Sequence, residues 1–184
     1  LAAINNFGGL DILISNAGAA HAGPMLGISN EELRNAFELN FFSHYSFSTE
    51  AAKILKDQNR GGQILFNISK QAVNPGKNFG AYGLPKATTF FLMRQLALEL
   101  GSDGIRVNGI NADRIRSGLL TDDFISSRAK SRGVSESEYM AGNLLNKEVT
   151  AEHVADAFTA LACAESTTGH VMTVDGGNIE ASLR

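Results

Sequence analysis

Tyr82 and Lys86 stand four positions apart in the run YGLPKATTFFLMRQLALEL, a spacing that puts a phenol and an ammonium on one face of a helix. A free tyrosine titrates near 10 and is a poor base at neutral pH. Taking a proton from an alcohol therefore requires the phenolate to be stabilised by about 3 pH units, or roughly 4 kcal/mol. One ammonium at about 4 to 5 Å, with an effective dielectric near 20, supplies roughly that much. Any amphipathic helix with a solvated lysine shows the same spacing, so the pair alone leaves both readings open.

Three further positions join the pair. Ser69 lies thirteen residues before Tyr82, just past the apolar run QILFNI. Asn16, Ala17 and Gly18 close another apolar run, LDILIS, and Asn40 lies in the helical stretch between the two. In an open α/β sheet ligands bind beyond the carboxyl ends of the strands, which is where Asn16, Ser69 and the segment after Ile110 all fall.

The elements that must position these groups alternate between strand and helix, the signature of an α/β fold with a parallel sheet covered by crossover helices. Four strands are expected: 10–15, 63–68, 105–110 and 170–174. The first is expected to be buried on both faces because its apolar run is unbroken. Ser29 and Glu32 have capping-box spacing and open one long helix to about residue 57, on the apolar positions Leu33, Phe37, Phe41, Tyr45, Ala52 and Leu55. A second helix runs from about 82 to 100, with Pro85 early enough to lack no intrahelical bond. A polar, partly helical stretch at 117–147 reads as a lid, and a last helix follows Thr150.

Composition narrows the partners. A chain of 184 residues, 43% hydrophobic and 19% charged, suits one ordered domain. The net charge of −3 with scattered Lys and Arg forms no basic stripe, which argues against nucleic acid or an anionic membrane and for a small-molecule substrate. No apolar run nears the roughly 20 residues that span a bilayer, so a cytoplasmic protein is the default. The single cysteine, Cys163, excludes an internal disulfide or a cysteine-built zinc site and reads as buried filler; no metal site is expected.

Taken together, SNAG at 15–18, Asn40 in ELNFFS, NIS with Ser69, the Tyr82–Lys86 pair, IRVN ending at Asn108 and TGHVMTVDGG at 168–177 resemble the ordered motifs of the short-chain dehydrogenase/reductase family. The resemblance covers nearly the whole chain. It implies a Rossmann-like doubly wound parallel sheet with helices on both faces, and an oxidoreductase that moves hydride between NAD or NADP and a small alcohol or carbonyl compound. Tyr82 would exchange the proton with the substrate oxygen, and Ser69 would hydrogen-bond that oxygen. Lys86 would lower the tyrosine pKa and bond the nicotinamide ribose, while Asn40 would hold a water linking Lys86 to solvent. Asn16, Ala17 and Gly18 would pack along the cofactor, Gly18 because a side chain would block the approach of backbone. Ile115 would meet the carboxamide. Pairing through the two long helices implies a homodimer or homotetramer.

The sequence also departs from that pattern. The family's first βαβ unit, with its glycine-rich phosphate turn and ribose-reading residue, has no counterpart here. Gly76, Gly80 and Gly83 imitate such a turn at the wrong spacing and read as a loop over the site. The expectation is thus a single partial Rossmann-fold catalytic domain over 1–184, a fragment beginning at Leu1 that by itself binds NAD weakly or not at all and is inactive. Where the family has Pro-Gly, this chain has Ala112 and Asp113, followed by Arg114 and Arg116. These charges offset one another, hold an anionic substrate, or are solvated loop charges, the last being preferred. NISKQAVNPGKNFGAYGLPKA, NADRIRSGLL and the ending VDGGNIEASLR further resemble the dehydrogenase half of bifunctional proteins with a sugar-phosphate aldolase domain of the rhamnulose-phosphate type. That narrower likeness implies a sugar-derived alcohol or a small aldehyde such as lactaldehyde, within carbohydrate metabolism. The competing readings are a non-catalytic assembly or regulatory module, and an epimerase or dehydratase of the extended branch.

Overall fold

Strand β2 (Gly62–Asn67) shows how the core is divided. Side chains alternate across a strand, so Ile64 and Phe66 enter one apolar cluster while Leu65 enters another on the opposite face. The structure, a computed structural model, describes residues 2–20 and 22–178; Leu1, His21 and 179–184, the end of the VDGGNIEASLR string, lie outside the described residues.

A short helix α1 (Ala2–Phe7) leads into β1 (Ile12–Ser15). Beyond the following loop, α2 (Asn30–Phe37) and α3 (Ser43–Gln58) form the single long helix expected, joined without a break by a π-turn at Glu38–Phe42. The Ser29–Glu32 capping box closes its N-terminus. After β2 come α4 (Gly80–Leu100) and β3 (Ile105–Ala112). Then follow α5 (Asp122–Arg132), α6 (Glu136–Met140), α7 (Ala151–Cys163) and β4 (Val171–Val174). The sheet is parallel throughout, in the order β1-β2-β3-β4.

On one face, Leu55 of α3 and Met93, Leu96 and Leu100 of α4 close over Ile64, Phe66, Ile105 and Val107. On the other, Val154, Phe158 and Leu161 of α7 cover Leu65 and Ile110. Burying each such side chain contributes about 1.5–3 kcal/mol. Helices on both faces of a parallel sheet give the Rossmann-like architecture expected.

Two expectations about burial are corrected. Among the described residues β1 is an edge strand bonded only to β2, and Ile12 and Ile14 are 43% and 51% exposed. An unbroken apolar run reports what a strand is suited to meet, and the meeting depends on neighbours. Cys163 is exposed. It stands two and five residues past the core positions Leu161 and Phe158, on the side of α7 that turns away from the sheet.

Candidate active site

The carboxyl ends of β1, β2 and β3 meet α4 at one edge of the sheet, and the side chains singled out in the sequence gather there. Ser69 follows β2 by two residues and caps a short 3-10 turn at Lys70–Ala72, its Oγ accepting from the Gln71 amide at 3.2 Å. The first turns of α4 lie against that turn. A Cβ at Gly83 would stand 3.0 Å from the Gln71 carbonyl oxygen, so glycine permits the close approach that brings Tyr82 to Ser69. Gly80 and Gly83 therefore open the helix, and of the three glycines read as a loop only Gly76 belongs to one.

The buried Tyr82 phenol lies beside the Ser69 hydroxyl. Burial pushes its pKa above the ordinary 10, and the neighbouring Ser69 hydroxyl opposes that rise. Lys86 is 2% exposed. Its Nζ donates to the Asn67 carbonyl at 3.0 Å and lies 5.8 Å from the Tyr82 ring centre. Burial alone pushes the ammonium down to about 8. Burial is the largest influence on both groups, and the Lys86 ammonium spends one of its three donors on the Asn67 carbonyl.

Asn40 sits in the π-turn, fully buried. Its Nδ2 donates to the carbonyls of Ala36 and Ala19 at 3.0 and 2.9 Å, and its Oδ1 accepts from the Ala19 amide at 3.2 Å. The side chain therefore clamps the segment after β1, and one lone pair of Oδ1 remains for a further donor. Its own carbonyl accepts from the Thr89 hydroxyl at 2.7 Å, tying the π-turn to α4. Asn16, Ala17 and Gly18 lie exposed along the same edge, with Asn16 Oδ1 accepting from Asn67 Nδ2 at 2.6 Å. A Cβ at Gly18 would lie 2.9 Å from Asn40 Oδ1 and 3.5 Å from Lys86 Nζ, so the glycine is required by the protein's own packing.

Beside these groups a cleft of about 550 Å³ opens, with Ser69, Tyr82, Ile115, Phe124 and Tyr139 on its lining. The stretch at 117–147 contributes part of that lining. It carries a small core of its own, Leu120, Ile125, Ala129, Tyr139 and Met140.

Three groups without a place in the sequence reading belong to this region. Lys70 donates to Asp113 Oδ2 at 2.9 Å, where Asn178 Nδ2 also donates at 2.6 Å and Arg114 Nε lies 3.5 Å away. Asp113 and Arg114 are 10% and 12% exposed, so they are not the solvated loop charges preferred from sequence; only Arg116 is, pairing with Asp122 and Glu148 at the surface. His44 is buried with Nδ1 2.6 Å from Ser15 Oγ, and burial together with the Lys86 charge lowers it to about 4. Arg128 reaches the cleft from α5. Lys70 and Asp113 were visible as charges in the sequence, but they stand 43 residues apart, and Asn178 stands 65 residues from Asp113.

A family profile described as Enoyl-(Acyl carrier protein) reductase matches residues 2–178. The chain is 36% identical over 179 residues to the uncharacterized oxidoreductase YuxG of Bacillus subtilis, covering 93% of this chain and 26% of that protein. It is 32% identical over 180 residues to 7alpha-hydroxysteroid dehydrogenase of Escherichia coli K12, covering 97% and 67%. Carveol dehydrogenase from Mycobacterium avium, solved in complex with NAD, superposes with a TM-score of 0.89 at 22% identity, over 97% of this chain and 68% of that one. The chain thus spans about a quarter of one curated relative and two thirds of the other.

Proposed function

The chain belongs to the short-chain dehydrogenase/reductase family, and from this we propose that it carries the proton-transfer site of an NAD- or NADP-dependent oxidoreductase acting on a small alcohol or its carbonyl counterpart. The observation that carries the reading is the Ser69–Tyr82 hydroxyl pair, side by side at the carboxyl edge of a parallel sheet and lining the cleft.

The residues fit a nicotinamide group. Asn16, Ala17 and Gly18 offer an exposed, side-chain-poor strip beside Lys86, and Ile115 gives an apolar wall. When bound, the nicotinamide supplies or takes up the hydride. Everything else falls to the chain. Ser69 holds the substrate oxygen, and Tyr82 passes a proton to or from it. Lys86 would hold the ribose hydroxyls with its remaining donors and favour the phenolate by its charge, and Asn40 keeps the Gly18 segment in place. We propose oligomer formation through α3 and α4, which expose Phe47, Phe91 and Leu98. A sugar-derived substrate and an aldolase domain ahead of this one rest on the resemblance of the strings at 67–87 and 111–120; the match to a quarter of one relative leaves room for a further domain.

Tyr82→Phe is the test. It removes one buried hydroxyl, so folding should survive while turnover of secondary alcohols with NAD or NADP falls at least about a hundredfold. Unchanged turnover would mean that another group moves the proton.

A further inference from the structure

The cleft beside Ser69 and Tyr82 is cationic in a chain whose net charge is −3: Lys70, Lys77, Arg114, Arg128 and Arg132 line it against a single carboxylate, Asp113. Two of the five are already used. Lys70 and Arg114 share Asp113, and Arg114 Nη1 also donates to the Tyr139 carbonyl at 2.6 Å. Arg116, the other arginine the sequence offered for an anion, faces the surface in its pairs with Asp122 and Glu148.

Arg128 differs. Among the described residues no carboxylate pairs with it, and its buried Nε makes no hydrogen bond. Its guanidinium lies 5.6 Å from the Phe79 ring centre, and that of Arg132 lies 5.2 Å from the Tyr139 ring centre. An aromatic face satisfies a guanidinium above its plane and leaves the in-plane N–H fork for a planar anion. A buried Nε–H without an acceptor is costly, and a bound anion that accepts from it removes that cost.

We infer that the substrate's alcohol or carbonyl is joined to an anionic group, a carboxylate or a phosphate, held by Arg128 with Lys77 and Arg132 beside it. This rests on the oxidoreductase reading above. Ser69 and Tyr82 take the reacting oxygen at one part of the cleft while the cations fix the opposite end of the molecule, so the anion sets which alcohol is presented. A neutral substrate such as lactaldehyde leaves Arg128 without a partner.

Three probes share one secondary alcohol and differ in the tail: butane-1,3-diol, 3-hydroxybutyrate and 3-hydroxybutyl phosphate. With the full-length protein and saturating cofactor, one anionic probe should exceed the diol in kcat/KM, and which one does so separates carboxylate from phosphate. Arg128→Gln should lower that value by roughly tenfold to a hundredfold, the worth of a charge-assisted bond, with the diol and the cofactor KM little changed. Arg128→Lys should recover part of the loss, which separates charge from packing on Phe79. Equal kcat/KM for all three probes, or a loss shared by the diol, overturns the inference and leaves the oxidoreductase reading standing. A rise in cofactor KM alone also overturns it by moving the anion to the cofactor. If no probe turns over, calorimetry decides: anionic probes binding the wild type and not Arg128→Gln support the inference, and binding to neither overturns it.

Discussion

The Lys86 ammonium donates to the carbonyl of Asn67 at 3.0 Å and stands 5.8 Å from the Tyr82 ring centre, so the end of β2 and the start of α4 are joined through a buried charge. Its pKa of about 8 lies below the ordinary 10.5. Below 8 the folded and unfolded chains are both protonated and the buried charge costs its full amount, up to about 3 kcal/mol; between 8 and 10.5 the unfolded chain binds more protons, so stability rises with pH. Lys86→Met keeps the apolar stem and removes the charge. Its melting temperature at pH 7 should equal or exceed that of the wild type, while turnover falls at least about a hundredfold. A drop of several degrees would show that the bond to Asn67 outweighs the desolvation.

His44 carries the opposite consequence into acid. Its folded-state pKa of about 4 lies below the ordinary 6.5, so between those values the unfolded chain takes up a proton that the folded chain refuses. Stability should therefore fall as pH drops from 6.5 towards 4, by up to about 3 kcal/mol at the lower limit. Urea titrations at pH 7 and pH 4.5 on the wild type and His44→Gln measure it. The variant should lose much of the pH difference; an equal slope would place the acid sensitivity in other groups. Because the Lys86 charge is one cause of the depression, Lys86→Met should also raise the imidazole pKa, readable by NMR titration.

Much of this arrangement was legible in the sequence because it is local. The four-residue step from Tyr82 to Lys86 and the placing of Ser69 just past an apolar strand need only helix and strand periods. What was not legible depends on partners far along the chain. Apolar letters gave β1 the look of a central strand, and only the sheet order makes it an edge. Helical periodicity marked one helix through Asn40, yet it does not distinguish a four-residue from a five-residue hydrogen-bond step, so the π-turn is invisible. Asp113 and Arg114 read as loop charges because Lys70, Asn178 and the Tyr139 carbonyl are distant in sequence.

Asp113 holds the cationic side of the cleft together. Removing its charge by Asp113→Asn leaves Lys70 and Arg114 poorly compensated at 17% and 12% side-chain exposure. Breaking a buried pair in this way costs about 3–5 kcal/mol. The melting temperature should fall by several degrees or more, and high salt should restore part of the loss. A variant as stable as the wild type would mean that solvent already screens these charges.

Gly18 and Asn40 are coupled by a contact that a single extra carbon tests. The Cβ of Gly18→Ala would lie 2.9 Å from Asn40 Oδ1, and three hydrogen bonds hold that amide, so it has no low-cost way to swing aside. The 16–19 backbone must shift instead. The expected result is a cofactor KM raised by about tenfold, with a modest loss of stability. Asn40→Ala alone should cost about 1–3 kcal/mol, because the amide and carbonyl of Ala19 lose their partner. In the double variant the added methyl group enters the space the amide vacates, so its penalty should shrink. A double-mutant cycle on both melting temperature and cofactor KM reads this directly, and strict additivity would show that the two residues act separately.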